Sequence, residues 1–333
     1  MILKNESKIL INEHNYFAMR KIGLYTRLIL AIAILFAIIY GLITLIAYFL
    51  GYAQPIFLAI IAVFIVILQY LVSPKIVEAS MRVRYITRKE NPKLYGMIEN
   101  LARDANIPMP KVGIANIDLP NAFAFGRNLK DGRVCVTRGL LKILNDEEME
   151  AVLGHEISHL KHRDMAIITM LSVIPLICYL AFWNFLWGRR RSEGAALIAF
   201  IAFAVYLITN LIVLYVSRIR EYYADYGSVL LTKRPHALAS ALYRITTATT
   251  FIRPEKIKEA EGMKAFFATD PSTARKDIID LKQADLNLDG HLDEYELKVF
   301  AEKARITTTD RLLEIFSSHP NVVERIKRLA EIK

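Results

Sequence analysis

The sequence predicts a mainly α-helical membrane protein that also contains a small α+β domain. Hydrophobic residues make up 54% of the 333-residue chain, and they gather in four long blocks. The charged sequence between and after these blocks shows the alternation of short strands and the longer period of helices. The formal net charge is +10, which suits contact with anionic lipid headgroups. We therefore expect a lipid bilayer, and no nucleic acid, among the partners of the chain.

The first two apolar blocks form a predicted transmembrane hairpin at residues 26–73. They run from Thr26 to Leu50 and from Ala53 to Val72. Each has close to the ~20 apolar residues that cross the hydrocarbon core of a bilayer. Four uninterrupted segments of this length in one chain are uncommon in the core of a soluble protein.

A second hairpin is predicted at residues 165–217, from the blocks Met165–Trp187 and Ala195–Val216. The segment between its two helices contains three consecutive arginines, Arg189–Arg191. Basic residues favour the cytoplasmic side, so these arginines would lie on the wrong side if both helices crossed fully. The hairpin therefore either crosses the bilayer or only dips into it, and the sequence fits both.

Basic residues elsewhere predict a multi-pass protein of the cell membrane whose soluble parts are cytoplasmic. Residues 1–25 contain several basic residues and lack the apolar core of a signal peptide. Residues 74–164 are rich in lysine and arginine. The positive-inside rule places both segments in the cytoplasm, with the tip of the first hairpin, Gly51-Tyr52, outside.

Residues 74–164 begin the α+β domain and contain its small sheet. A helix is predicted at Asn91–Ala105. Strands are predicted at Lys111–Ala115, Ala122–Phe125 and Arg133–Thr137. Residues 128–132 between the last two strands supply turn chemistry.

The last helix of this segment has a strong start signal. Asn145 and Glu148 have the spacing of a capping box, which predicts a helix from there to Arg163. Residues 218–269 and 307–333 complete the domain, and the first of them is expected to start as a helix.

A metal-binding pattern lies on the capped helix. His155, Glu156 and His159 form the motif H-E-x-x-H. Positions i and i+4 of a helix share a face, so both imidazoles can reach one zinc ion. Glu156 lies beside them, where a carboxylate can take a proton from a water molecule that the metal activates. We therefore predict one Zn²⁺ per chain and Glu156 as the general base of a hydrolase.

A catalytic zinc site needs a third protein ligand. His162 lies three residues after His159 and is one candidate. Glu221 is the better one, because it lies on a second predicted helix and shares a face with Asp225. Asp225 could then support one of the ligand histidines from behind. The residues alone leave both candidates open.

These motifs, with the two apolar hairpins and their order, resemble the HtpX-type membrane zinc metallopeptidases, relatives of the CAAX-processing proteases. The resemblance rests on Asn121-Ala122-Phe123-Ala124, His155–His159 followed by Asp164, Arg220–Asp225, Ser318-His319-Pro320 and Arg325-Ile326. It implies a gluzincin-like α+β zinc-protease domain in which Glu221 is the third ligand. It also implies a membrane-bound endopeptidase that cleaves polypeptides, above all misfolded membrane proteins.

The resemblance implies further site residues. Asn121, Ala122 and Phe123 would belong to an edge strand that pairs with the substrate backbone. His319 would donate a hydrogen bond to the developing oxyanion. Taken by themselves, Asn121 is only a polar residue in a turn and His319 a lone histidine before a proline.

Residues 270–306 contain an EF-hand-like insertion, which the resembling family does not normally carry. A 12-residue calcium loop is predicted with the ligands Asp285, Asn287, Asp289, His291 (by its carbonyl), Asp293 and Glu296. Gly290 supplies the sharp turn. Only one such loop is found, and EF-hands usually work in pairs. A calcium ion would either regulate turnover or only stabilise the insertion.

Two other functions compete with the protease. One is a non-proteolytic, calcium-responsive membrane scaffold that retains a metal site. The other is a transporter, which would need polar residues within the apolar blocks. Gln54, Gln69, Thr44 and Asn210 are too few and too scattered for that.

Overall fold

The computed structural model describes residues 56–164, 195–252, 283–304 and 314–332, with single positions between 167 and 186 and at 277, 278 and 281. Residues 1–25, the first apolar block and most of the third lie outside the described residues. The chain divides into two compact units, and Val63–Met170 together with Arg220–Lys333 form the one that contains the sheet.

Two long helices contain predicted apolar blocks. Helix α1 (Ile56–Ser80) holds most of the second block, and helix α5 (Ala195–Thr232) holds the whole fourth block and continues beyond it. Among the described residues, one helical stretch, Ala196–Thr232, is long and apolar enough to cross a bilayer. The mainly helical fold is thus confirmed, whereas the count of four spans stays a prediction.

The sheet has four strands, and three of them lie where the sequence predicted them. They are β1 (Val83–Tyr85), β2 (Lys111–Ala115), β3 (Ala122–Phe125) and β4 (Arg133–Thr137). The order is β1-β2-β4-β3, with β2 and β4 parallel and the other pairs antiparallel. Strand β3 therefore lies at one end of the sheet, and the short strand β1 at the other was not predicted.

The two faces of β3 pack against different helices. Ala122 and Ala124 belong to the main hydrophobic core, which the helices after the sheet also line. Phe123 and Phe125 face the other side and pack with Val77 of α1. Successive side chains of a strand point to opposite faces, so this alternation follows from the sequence. The small alanine side chains let the helix with the H-E-x-x-H motif lie directly over the strand.

The remaining helices surround that core. They are α2 (Pro92–Asp104), α3 (Arg138–Ile143), α4 (Asp146–His162), α6 (Pro235–Thr250), α7 (Glu294–Lys303) and α8 (Val322–Ala330). The predicted capping box at the start of α4 is confirmed. The Asn145 side chain accepts from the Glu148 N–H at 2.9 Å, and the Glu148 carboxylate accepts from the Asn145 N–H at 2.9 Å.

The predicted insertion packs as part of the main core. Leu281, Leu292 and Phe300 belong to the same hydrophobic cluster as Leu153 and Ile157 of α4. The loop also contacts α6, because its Leu292 N–H donates to Ser240 Oγ (3.0 Å). The described part of the insertion is therefore tied to the core of the sheet-containing unit.

Candidate metal centre

Three side chains from two helices come together as a possible metal site. His155 and His159 extend from the same face of α4, with their Nε2 atoms 3.1 Å apart. Glu221 of α5 approaches them, with its carboxylate oxygens 3.6 Å from His155 Nε2 and 3.4 Å from His159 Nε2. Among the described residues, this is the one set of three or more such side chains whose ligand atoms all lie within 4.8 Å of one another.

A close crossing of α4 and α5 brings these ligands together. A Cβ atom added to Gly227 of α5 would lie only 2.0 Å from Ser158 Oγ of α4. One added to Gly154 of α4 would lie 3.2 Å from Ser228 Oγ. The helices can approach this closely because small residues stand at the crossing on both sides. Ser228 Oγ also donates to the Ala151 carbonyl at 2.6 Å, which fixes the contact.

The competing candidate His162 lies apart from this set. Its Nδ1 atom is 2.8 Å from the Ser158 carbonyl oxygen, and its ring lies beside Tyr223. The geometry therefore favours Glu221 over His162 as the third ligand, as the resemblance implied.

Each histidine has an aspartate behind it. Nδ1 of His155 lies 2.9 Å from Asp225 Oδ1, which is the support that the sequence predicted. Nδ1 of His159 lies 2.7 Å from Asp164 Oδ2. Such contacts fix the ring orientation and the tautomer, leaving both Nε2 atoms for a metal. Asp164 belongs to the motifs that carry the resemblance, but its position in the sequence predicts no role for it.

Each aspartate is in turn held by an arginine. Arg325 of α8 donates to both oxygens of Asp225, at 2.9 and 2.6 Å, and its Nη1 lies 3.4 Å from Glu221 Oε2. Arg220 pairs with Asp164 and donates to the His162 carbonyl at 3.2 Å. Neither arginine was predicted as a site residue. Both occur in the motifs that carry the resemblance, and that was the available signal.

The buried charges around the histidines fit a divalent cation. Four carboxylates are at most 6% exposed there, namely those of Glu156, Asp164, Glu221 and Asp225. The two buried arginines balance only two of them. Burying unbalanced charge is costly, and a dication bound by the two imidazoles and Glu221 would supply the missing positive charge. Two histidines and one glutamate are also a ligand set of catalytic zinc sites.

Glu156 is buried beside the candidate ligands. Burial raises the pKa of its carboxyl group, while the neighbouring His155 and His159 act in the opposite direction. The Glu156 carboxylate also accepts a hydrogen bond from the Ala124 N–H of strand β3. A carboxylate with a raised pKa is a stronger base, so its environment suits proton transfer.

His319 lies next to Glu221, with 3.5 Å between His319 Nδ1 and Glu221 Oε2. Burial would raise the pKa of Glu221, but His319 and hydrogen bonds from His155 and His159 outweigh it and hold that pKa well below its usual range. The glutamate is therefore an anion at neutral pH, as a metal ligand must be.

Asn121, Ala122 and Phe123 lie at the start of β3, and all three are buried. The Asn121 N–H donates to Thr137 Oγ1 at 2.9 Å, which ties the strand to the end of β4. With buried side chains, β3 can offer a partner its backbone edge, where no strand pairs with it among the described residues.

The predicted calcium loop has its expected turn, with Gly290 at φ +81°. Its carboxylates, however, accept from the N–H groups of the loop itself. Asp285 accepts from Asp289 and Gly290 at 3.2 and 2.9 Å, and Glu296 accepts from Leu286 at 2.8 Å. In the part of the chain that the structure describes, no three of the loop carboxylates have oxygens that all lie within 4.8 Å of one another.

A capped H-E-x-x-H helix, a glutamate from a second helix and an adjacent edge strand define the class of zinc metalloproteases. A family model described as Peptidase family M48 matches residues 88–333, so the chain belongs to peptidase family M48.

Named relatives agree with this assignment. A Protease HtpX homolog of Methanothermobacter thermautotrophicus is 49% identical over 240 residues, which are 71% of this chain and 92% of that protein. Protease HtpX homolog 2 of Methanosarcina mazei is 31% identical over 321 residues, 94% of this chain and 97% of that protein. The crystal structure of S. mikatae Ste24p matches with a TM-score of 0.48 at 19% identity, covering 91% of this chain and 64% of that one. The predicted resemblance to the HtpX-type proteases is confirmed, and the chain is a membrane zinc metalloprotease.

Proposed function

We propose that this protease is an endopeptidase of misfolded membrane proteins, with its active site on the cytoplasmic side of the cell membrane. The observation that carries the proposal is geometric: Glu156 is buried next to His155, and the ligand atoms of His155, His159 and Glu221 lie within 4.8 Å of one another. The choice of membrane-protein substrates rests on the resemblance and on the long apolar helix α5, which also contains Glu221.

His155, His159 and Glu221 hold the zinc ion in this proposal. When bound, zinc polarises the scissile carbonyl and makes a water molecule a stronger nucleophile. Glu156 takes the proton of that water and later passes it to the leaving amine. Asp225 and Asp164 keep the two imidazoles in the tautomer that leaves Nε2 free for the metal.

The substrate lies along β3 in this proposal. Asn121, Ala122 and Phe123 form the part of the strand that pairs with it, and main-chain hydrogen bonds supply the affinity. The burial of their side chains supports recognition of the substrate backbone, which suits a protease of unfolded segments. His319, beside Glu221, donates a hydrogen bond to the oxyanion that develops on the scissile carbonyl.

Metal removal and restoration test this function against a non-proteolytic scaffold. The full chain, purified in detergent, is expected to bind one zinc ion and to cleave casein. Treatment with a zinc chelator should abolish cleavage, and stoichiometric zinc should restore it. A protein that binds zinc but never cleaves casein or unfolded membrane proteins would be the scaffold instead.

The cytoplasmic, multi-pass topology is a separate part of the proposal. It rests on the positive-inside rule and on the long apolar helix α5. Single cysteines placed at residues 51–52, 74–164 and 188–194, in a variant lacking Cys135 and Cys178, can be labelled from either side of the membrane. Residues 51–52 should react from outside and residues 74–164 from inside. Labelling of residues 188–194 only from inside would show that the second hairpin dips without crossing.

We also propose that the loop Asp285–Glu296 binds calcium. The 12-residue spacing and the turn at Gly290 support it. A single unpaired loop should bind weakly, with Kd of roughly 10⁻⁵–10⁻³ M. Because the loop packs into the main core, calorimetry should use the full chain, with Asp285→Ala and Glu296→Gln as controls. Absence of heat in the wild type would remove the site, and heat without a change of peptidase rate would leave calcium a structural role.

A further inference from the structure

A small cleft lies at the end of β3, beside the candidate ligand His159. It is shallow, with an enclosed volume of about 10 Å³, which is room for about one water molecule. Gly126 and Arg127 line it from the chain just after β3, while Arg163 and Asp164 line it from the chain just after α4. The cleft therefore lies between the end of β3 and the end of α4, and a residue of the metal site, His159, lines it.

The charges around the cleft leave it positive. Asp164 already faces His159 and is paired with Arg220. Arg127 pairs with Asp131 at 2.7 Å, and its carbonyl is held by the Tyr70 hydroxyl at 2.7 Å. Arg163 is exposed and has no ion-pair partner among the described residues. One arginine of the cleft is thus available for an incoming anion, and a second stands beside it.

Arg163 occupies a backbone position that does not favour arginine. It ends α4 in the left-handed region, at φ 57° and ψ 38°. Helix ends of this kind usually carry glycine, which has no Cβ atom and therefore adopts the left-handed conformation without a steric clash. The turn is needed because it returns Asp164 to His159. Glycine would make the same turn more easily, so the turn itself does not require an arginine.

We propose that Arg163, together with Arg127, forms a subsite that binds a carboxylate of the substrate and so favours acidic sequences. The proposal rests on the proposed alignment of the substrate along β3. The Ala124 N–H bonds to Glu156, and Arg127 follows three residues later. Three residues of chain span at most ~10 Å, so Arg127 lies within ~10 Å of the residue that contacts the general base. The carboxylate belongs about three residues from the scissile bond.

Peptide selectivity of the full chain in detergent tests this subsite. Cleavage sites in casein are first mapped by mass spectrometry, and one of them is made as a quenched fluorescent peptide. Glu, Gln or Lys is then placed at each position two to four residues from the scissile bond, on both sides. At one of these positions the wild type should cleave the Glu peptide with about tenfold higher kcat/KM than the Lys peptide, the effect of one charge-assisted hydrogen bond.

The ratio of the Glu to the Lys peptide should follow the charge of the residue at position 163. Arg163→Glu should invert it, and Arg163→Lys should keep its direction. Arg163→Gly should bring it close to one while the zinc content and the unfolding temperature do not fall, because glycine suits the left-handed turn. Lys161→Glu makes the same charge change at an exposed position of α4 outside the cleft, and it should keep the wild-type ratio.

Free-acid and amidated versions of the peptide distinguish a terminal carboxylate from a side-chain carboxylate as the preferred ligand. A ratio near one in the wild type, or an equal change in Arg163→Glu and Lys161→Glu, would overturn the subsite. Sensitivity to anionic lipid in place of peptide charge would assign the cleft to a headgroup and would also overturn it. If the wild type cleaves no peptide, both the subsite and the proposed function fail. Cleavage without charge selectivity refutes the subsite alone.

Discussion

The two histidines of the proposed zinc site are each supported through an aspartate by an arginine. Arg325 reaches His155 through Asp225, and Arg220 reaches the other imidazole through Asp164. All these carboxylates and guanidinium groups are buried, so their interactions are weakly screened by water and salt. Each imidazole is thereby oriented independently, and loss of either aspartate should loosen only one ligand.

We expect Asp164→Asn and Asp225→Asn each to weaken zinc binding by about 10–100-fold, the usual effect of changing a group behind a ligand. Glu221→Ala should weaken it more, because it removes a ligand. His162→Ala is the control and should bind zinc like the wild type. Zinc dissociation constants can be measured by competition with a chromophoric chelator. Full zinc loss in His162→Ala with retention in Glu221→Ala would give the third ligand position to His162.

At the scale of elements, the site depends on how closely α4 and α5 cross. Gly227 and Ser158 touch at this crossing, and there is no room for a methyl group between them. The ligands lie on the faces of α4 and α5 that meet at this crossing. A small separation of the two helices would therefore move Glu221 away from both histidines.

Gly227→Ala should therefore lower zinc affinity and stability, although alanine favours a helix by about 1 kcal/mol over glycine. The added Cβ would lie 2.7 Å from the Ser158 Cβ. The double variant Gly227→Ala with Ser158→Gly removes that clash and should recover much of the lost zinc affinity. Zinc titration and thermal unfolding of the single and double variants measure this coupling. Additive losses would mean that the crossing does not control the site.

Several elements could be predicted because their signals are local. Strands β2, β3 and β4 and the cap of α4 follow from alternation and from the Asn145–Glu148 spacing. Strand β1 has three residues, two of them exposed, so its place depends on pairing with β2 and not on its own pattern. Helix α3 was not predicted either, because it has only six residues and starts directly at the end of β4.

The site also contains residues with a local sequence signal and residues that only the fold brings together. His155, Glu156 and His159 share one helix, so their spacing alone indicated a metal. The partner of His159 could not be inferred from helix periodicity, because Asp164 lies beyond a left-handed residue that reverses the chain. The approach of Arg325 to Asp225 joins residues 100 positions apart, and only the packing of α8 against the core creates it.

At the scale of the molecule, the insertion is part of the protease core. His291 of the loop lies 2.8 Å from Glu148, the capping-box partner of Asn145, and Ser240 Oγ donates to the same carboxylate at 2.6 Å. The catalytic helix and the loop thus share a partly buried polar contact as well as a hydrophobic cluster. An EF-hand that opened freely would have to break both.

Two leucines of the insertion test this integration. Leu281 is fully buried in the shared core, and Leu288 is 83% exposed. We expect Leu281→Ala to destabilise the whole protease domain by about 2–5 kcal/mol, the usual effect of replacing a buried leucine with alanine. Leu288→Ala should change stability by less than about 0.5 kcal/mol. Thermal unfolding followed together with zinc release would show one common transition. A separate transition of the insertion in Leu281→Ala, with zinc retained, would mean that it folds on its own.

The assignment of Glu156 as the general base is the central claim, and the variant Glu156→Gln tests it most directly. Glutamine has nearly the same shape but cannot take a proton at neutral pH, while the three proposed ligands stay in place. Zinc content and casein cleavage should be measured on the same purified sample. We predict one zinc ion per chain, as in the wild type, and cleavage reduced at least a hundredfold, within the range that general bases contribute. Cleavage at the wild-type rate with zinc bound would contradict the account.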